Sequence, residues 1–474
     1  MNQPGRPRIF ARIEEDHNAC RLDSPLPAAV PGLVLVVCGA TAVALSAQGP
    51  ATAPAAKAPP TFAKDVAPIL YKNCVGCLSA GRDGTDVTRD VADARPWARA
   101  IRERVTARSM PPWFADPHYG TFSNDPTLSQ KDIDTITAWA NGGSPPGSPQ
   151  DMPSLPPNMV EGWQIGTPDI VVEMPESFDI PATGVVTYKT YNVRTTFKDD
   201  LWVVAAEVRP ADRAHVHHAV VTVIEPDGNK PVGAVEVTPL AQDNQKDTRL
   251  SQEEIDQRLK TERGRSASTE HRLAGYAVGE GPRLMPDGYA KRVPAGSTLS
   301  FSMHYTTNGT PGKDLTKIGL VLARKPPTAE MYMGLINNGL FEIPSGDPNT
   351  KVESKGALLQ DIHVWSIHPH MHVRGKDMTY TALYPDGRRE ILLSVPRYRF
   401  DWQLDYYLTE PKALPKGTTI LVSAHYDNSP ANKDNPDPNA TVHYGDQTWD
   451  EMMAGYFTYT IDSQTRTMNT AGLH

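Results

Sequence analysis

The chain has 474 residues and a net charge of −8, from 47 Lys+Arg against 55 Asp+Glu. With no basic excess to neutralise phosphates, nucleic acid is excluded as a main partner. The length allows roughly three domains of about 150 residues each, and 44 prolines with scattered aromatics favour many short strands and turns over a helical bundle.

The apolar run PGLVLVVCGATAVALSA is about as long as the apolar part of a signal peptide and too short to span a bilayer comfortably. Residues 1–47 are therefore expected to be a signal peptide or N-terminal anchor, with cleavage near Ala44 or Ala47, and the protein to be periplasmic or secreted. Cys38 could instead carry a lipid, but Val37 before it is bulky for such a site. A Pro/Ala tether follows over 48–61. Only Cys74 and Cys77 remain in the mature chain, so no disulfide framework holds it together.

Residues 62–144 are predicted to be helical. TFAKDVAPILYKNC and ARPWARAIRERV have apolar residues at near-helical spacing. In LSQKDIDTITAWANGG, Ser129 and Asp132 form a capping-box-like start, Ile133, Ile136 and Ala140 share a face, and Gly142 ends the helix. NCVGCLSAG resembles a c-type haem attachment site, Cys74-x-x-Cys77-His, with Leu78 in the place of the histidine. SMPPW resembles the segment that offers the sixth haem ligand, here Met110, and LSQKDIDTITAW the C-terminal helix of small cytochromes c. The resemblance implies a small all-α, cytochrome c-like domain. Cys74, Cys77 and Met110 would be its haem residues, but Leu78 cannot ligate iron and weighs against haem c. The two thiols could equally form a short disulfide or stay free. Zinc is disfavoured, because only His118 stands nearby as a further ligand. Six prolines over 145–159 make a stiff linker.

From 160 onward the pattern is strand-like and it repeats. VPAGSTLSFSMHYTTNG and LPKGTTILVSAHYDNS share a turn, an alternating strand and a terminal Ser-x-His-Tyr, so that His304 matches His425. HVHHAVV at 215–221 stands more loosely opposite HPHMHV at 368–373. The interval from His218 to His304 exceeds that from His372 to His425 by about 33 residues, and a charged, amphipathic segment beginning AQDNQKDTRL supplies them. Two related β domains, 160–325 and 326–474, with a helical insertion in the first explain both facts.

Nine of the 14 histidines fall in the four motifs HVHH, MHY, HVWSIHPHMH and AHY. Imidazoles spaced i, i+2, i+4 on a strand, as in His368, His370 and His372, point the same way and suit Cu, Zn, Fe or Ni. A methionine on a strand is more often core than ligand, but a thioether beside a His pair, from TWDEMMAGYFTY, would favour Cu(I). Spacing alone would select His215 and His217 in the first copy, because the adjacent His217 and His218 point oppositely on a regular strand.

VHHAVV, SMHY, HMHVRG and DEMMAGYF, in that order over residues 160–474, resemble the type II copper, ascorbate-dependent monooxygenases. These include the peptidylglycine α-hydroxylating and dopamine β-monooxygenases. The resemblance implies two all-β, jelly-roll-like sandwiches that carry one copper each. His217, His218 and His304 would hold an electron-relay copper, and His370, His372 and Met452 the copper that binds dioxygen. Tyr456 would stand on the substrate side, and His368 and His215 would be supporting or incidental. The adjacent pair requires a bulge or twist in its strand. An external one-electron reductant such as ascorbate, dioxygen and a small-molecule or peptide substrate would be the partners. Where the peptide-amidating branch has an arginine and an asparagine, this chain has His368 and Ala454; the family's extra disulfides are also missing, and these departures speak against a peptidyl-glycine substrate. A copper-carrying or electron-transfer protein could use the same histidines without hydroxylation.

Overall fold

The computed structural model describes residues 59–74, 90–155, 162–226, 234–240, 242, 272–277 and 281–464. The expected leader and anchor, Cys77, Leu78 and most of the charged insertion lie outside the described residues. Among those that are described, no helix is long and apolar enough to cross a membrane.

The chain is mostly β, and its sheets stack in pairs. In the first pair, one sheet runs Ile170–Glu173, Lys317–Leu322, Leu201–Arg209, Tyr289–Val293, Ala329–Glu330, with Arg283–Leu284 beside Leu201–Arg209. The other runs Lys189–Arg194, Thr298–Tyr305, Val216–Ile224, Arg272–Tyr276. Val203, Ile318 and Leu320 from one sheet meet Val221, Leu299 and Phe301 from the other in one buried cluster. In the second pair, Tyr332–Asn337, Ala454–Ile461, Ile362–His370, Tyr406–Leu414 face Arg389–Val395, Gly375–Leu383, Thr419–Tyr426, Thr350–Leu358, Val235–Pro239. Val364, Ile367 and Phe457 close on Tyr380, Leu393 and Val422. Each large apolar side chain so buried contributes about 1.5–3 kcal/mol.

The period-two pattern explains why these segments are strands. Thr298–Tyr305 and Thr419–Tyr426, the two matching copies, show the same alternation of buried and half-buried positions along their lengths. Leu299, Phe301, Met303 and Tyr305 fill the core, which turns His304 to the opposite face. Val235–Pro239 pairs antiparallel with Thr350–Leu358, so a strand that precedes residue 326 edges the second pair of sheets.

Short helices precede the sheets and share their own buried cluster of Phe62, Val66, Leu70, Ile133, Ile136 and Trp139. In the helix Gln130–Asn141, Ser129 accepts from Asp132 N and its hydroxyl donates to the Asp132 carboxylate, satisfying an N-terminal amide. Trp139 rather than Ala140 completes the fully buried stripe, because a large ring reaches the core from the edge of the helix face. The proline-rich stretch begins tied down: Pro145 O accepts from Phe62 N and from the Trp139 indole, and Pro146 O from Ala63 N.

Residues 113–125 fasten this helical segment to the second pair of sheets. Ser123 N donates to Tyr407 O and Thr409 N to Thr121 O, while Trp113 packs on Tyr406 at 4.8 Å between ring centroids. The strand so engaged, Tyr406–Leu414, is hydrogen-bonded to Ile362–His370.

Candidate metal centre

His217 and His218 lie on Val216–Ile224, and His304 near the end of its neighbour. His304 is opposite His218, but Tyr305 is opposite Val216. His217 is therefore the extra residue of a bulge, and the bulge brings two consecutive imidazoles to one side of the sheet. One ring nitrogen from each of His217, His218 and His304 lies within 4.8 Å of the others. The Nδ1 atoms of His217 and His218 are 3.0 Å apart. Two nitrogens bound about 2.0–2.1 Å from one ion stand about 3 Å apart when they meet at roughly a right angle, so the residues fit a metal.

Tyr188 supports this set from just ahead of the strand Lys189–Arg194. Its hydroxyl is 3.0 Å from His218 Nε2, which leaves Nδ1 of His218 to face the centre. Its ring stacks on His304. Burial pushes the Tyr188 phenol far above its ordinary range, so it stays protonated. Burial first, then the neighbouring His304 and His217, drive the His218 imidazole well below its usual value. It is thus neutral and able to donate a lone pair.

The second set forms where Ile362–His370 ends. His370 Nδ1 is 2.6 Å from Gln403 Oε1, and Gln403 Nε2 donates to Phe400 O, which fixes the amide. His372 Nδ1 is 3.2 Å from Asp450 O. Both oxygens can only accept, so each imidazole carries its proton on Nδ1 and presents the Nε2 lone pair, the ligating tautomer. The rings are 5.4 Å apart and nearly perpendicular. Burial, reinforced by His372 and His368, lowers His370 to about 3, and burial lowers His372 to about 4.

The strand register puts His370 opposite Ala454, and just beyond it the amides of His372 and Met452 meet on one carboxyl oxygen of Glu451. Met452 is half-buried, whereas Met453 is fully buried in the core. Glu451 lies between these segments. Its Oε2 accepts from His372 N at 2.9 Å and Met452 N at 3.3 Å, and its Oε1 from Arg374 N at 2.6 Å. Complete burial raises its carboxyl to about 8, against the pull of those amides and of the Arg374 guanidinium.

The two other candidate histidines have different partners. His215 is buried with Nδ1 2.7 Å from Asp212 and Nε2 2.9 Å from Asn308 Oδ1, so both its nitrogens are committed and it stands apart from the cluster of His217, His218 and His304. His368 is paired with Asp405 at 3.3 Å. Burial would raise the Asp405 carboxyl, but Arg283 and His368 hold it far below its ordinary range. Arg283, from the first pair of sheets, also donates to Tyr407 Oη and Thr458 Oγ1. Tyr456 lies 5.8 Å from the His368 ring and 6.3 Å from that of His370.

Phe400 stands between the two sets. It lies nearly parallel to His217 at 5.9 Å and edge-on to His372 at 6.0 Å. Met110 is elsewhere, lining with Trp113, Phe122 and Leu128 a cavity of about 540 Å³ beside the helices. Cys74 is half-buried at the end of the helix Ala67–Asn73. Tyr188, Phe400, Gln403, Asp405 and Glu451 have no motif that would single them out in the sequence. Only the last is close, next to Met452.

No family model and no curated protein matches the chain. Solved structures match it weakly. The major capsid protein P2 of bacteriophage PM2 is 8% identical with a TM-score of 0.23, over 62% of this chain and 99% of that one. An allantoicase is 8% identical with a TM-score of 0.14, over 54% and 83%. A tandem CBM22 domain of Paenibacillus barcinonensis Xyn10C is 8% identical with a TM-score of 0.12, over 62% and 93%. Scores this low carry no argument about fold or activity.

Proposed function

We propose that the chain is an exported copper-dependent monooxygenase of the ascorbate-dependent type, which hydroxylates a C–H bond with dioxygen and an external one-electron reductant. In this reading its β portion is two jelly-roll-like domains and its helical segment a degenerate cytochrome c-like domain. One observation carries the proposal: three imidazoles converge on the first pair of sheets, and two more, in the ligating tautomer, stand beside a thioether segment on the second. The nitrogen set suits a copper that cycles between oxidation states, and the softer His/His/Met set favours Cu(I). Bound there, copper would supply one-electron transfer and dioxygen reduction.

The chain's own residues supply position and electrostatics. His217, His218 and His304 would hold one ion, with Tyr188 fixing the tautomer of His218. His370 and His372 would hold the other with Met452, their rings oriented by Gln403 and the Asp450 carbonyl. Phe400 contacts both His217 and His372 and so would lie between the two ions. Beside His370, Tyr456 offers a hydroxyl to a substrate. The cationic Arg283 nearby is already engaged by Asp405, Tyr407 and Thr458, which favours a substrate without a carboxylate at this end.

The test is elemental analysis after copper loading, followed by oxygen uptake with ascorbate. Two coppers per chain and reductant-dependent uptake are expected. A chain that binds none sinks the proposal, and two coppers with no uptake would favour the copper-carrying alternative.

A further inference from the structure

The carboxyl group of Glu451 hydrogen-bonds the backbones of two different ligand-bearing segments of the second site. One segment leaves the strand Ile362–His370 and runs through His372 to Arg374; the other enters the strand Ala454–Ile461 through Met452. No hydrogen-bonded strand pairing joins them beyond His370 and Ala454. Glu451 takes over at that point, accepting from His372 N and Met452 N with one oxygen and from Arg374 N with the other.

The clamp is itself held. Glu451 is fully buried and Arg374 nearly so. The Arg374 guanidinium donates to Asn428 Oδ1 and Trp449 O, and Met452 O accepts from the Tyr426 hydroxyl. A buried carboxyl group that satisfies three amides is strongly oriented, and removing it leaves those amides without partners in a buried region. The consequence falls on the spacing between the His372 imidazole and the Met452 thioether, because these two side chains hang from the amides in question.

We propose that Glu451 is a positioning residue for the second metal site, setting the separation of His372 and Met452 so that an imidazole and a thioether can close on one soft cation. This rests on the two-copper reading given above. It adds a residue that ligates nothing and does not touch substrate, and it makes the second site depend on one side chain that the first site lacks.

Because both sites belong to one chain, each serves as the other's control. Cu(I) affinity is measured for the full mature chain by competition with a chromophoric Cu(I) chelator, alongside thermal unfolding. Loss of an outer support of this kind typically costs 10–100-fold in metal affinity. Glu451→Ala is expected to weaken the second site by that factor and leave the His217/His218/His304 site unchanged. Glu451→Asp, one methylene shorter, keeps the carboxyl group but cannot span both segments; it is expected to give a smaller loss confined to the same site, and it decides the matter if the alanine variant does not fold. Glu451→Gln keeps the length and one acceptor and is expected to restore most of the affinity. Equal weakening of both sites, or no weakening in a folded variant, overturns the proposal. A natural protein that binds copper only at His217, His218 and His304 would instead refute the two-copper reading, before any variant is made.

Discussion

Tyr188 and His304 lie plane to plane, their ring centroids 4.6 Å apart and only 7° from parallel. The same tyrosine reaches His218 with its hydroxyl, so one side chain orients two of the three imidazoles. Tyr188→Phe keeps the stack and removes the hydrogen bond. It should weaken copper at the first site by about tenfold and leave the second unchanged, as chelator competition would show. Tyr188→Ala, which also removes the stack, should cost more.

Met452 and Met453 are neighbours with different environments, one half-buried at the site and the other fully buried in the core. Met452→Ile should abolish hydroxylation while copper remains at His217, His218 and His304. Met453→Leu conserves volume and should cost less than about 1.5 kcal/mol with activity kept. Met453→Ala should cost about 2–5 kcal/mol. Oxygen uptake and denaturant melts separate these outcomes; loss of copper from Met453→Leu, with Met452→Ile unaffected, would mean that the other thioether is the ligand.

The buried groups at the second site give the metal-free protein a stability that changes with pH in two directions. Burial lowers His370 to about 3 and His372 to about 4, so between those values and 6.5 the unfolded chain takes up protons that the folded chain refuses. Stability should therefore fall as the pH drops below about 6.5, by up to about 3 kcal/mol from His372 alone. Glu451 acts oppositely. Its folded value is raised to about 8, so its contribution is complete below about 4.5 and lost as the pH rises through about 8. Urea unfolding from pH 4 to 9 should show both limbs, the acid one shallower in His372→Phe and the alkaline one shallower in Glu451→Gln.

The natural chain should carry no covalent haem, because Leu78 follows Cys77 where the attachment motif has histidine. Leu78→His, expressed with cytochrome c maturation proteins, should yield a covalent haem with Met110 as the opposite ligand. Pyridine haemochrome spectra of both forms check this. Covalent haem in the natural protein would contradict it, and a variant still without haem would show that more than one residue has been lost.

Much of the β architecture is legible in the sequence because strand alternation is a local signal. The pattern that puts Leu299, Phe301 and Met303 inward also puts His304 outward, and its copy at 419–426 repeats it. The helix Gln130–Asn141 is equally local, since Ser129 and Asp132 cap it within one turn. The histidine motifs themselves are visible for the same reason.

What tertiary structure decided is which histidines converge and what holds them. Regular spacing on a strand favours His215 with His217; only the register shift opposite Tyr305 turns His217 and His218 together, and a register is a property of two strands. His215 is occupied by Asp212 and Asn308, the second of them 93 residues away. Gln403 reaches His370 from a different strand connection, and Glu451 meets His372 across 79 residues. Such partners have no fixed spacing from the residues they support, because the fold, not the local chain, brings them within hydrogen-bond reach.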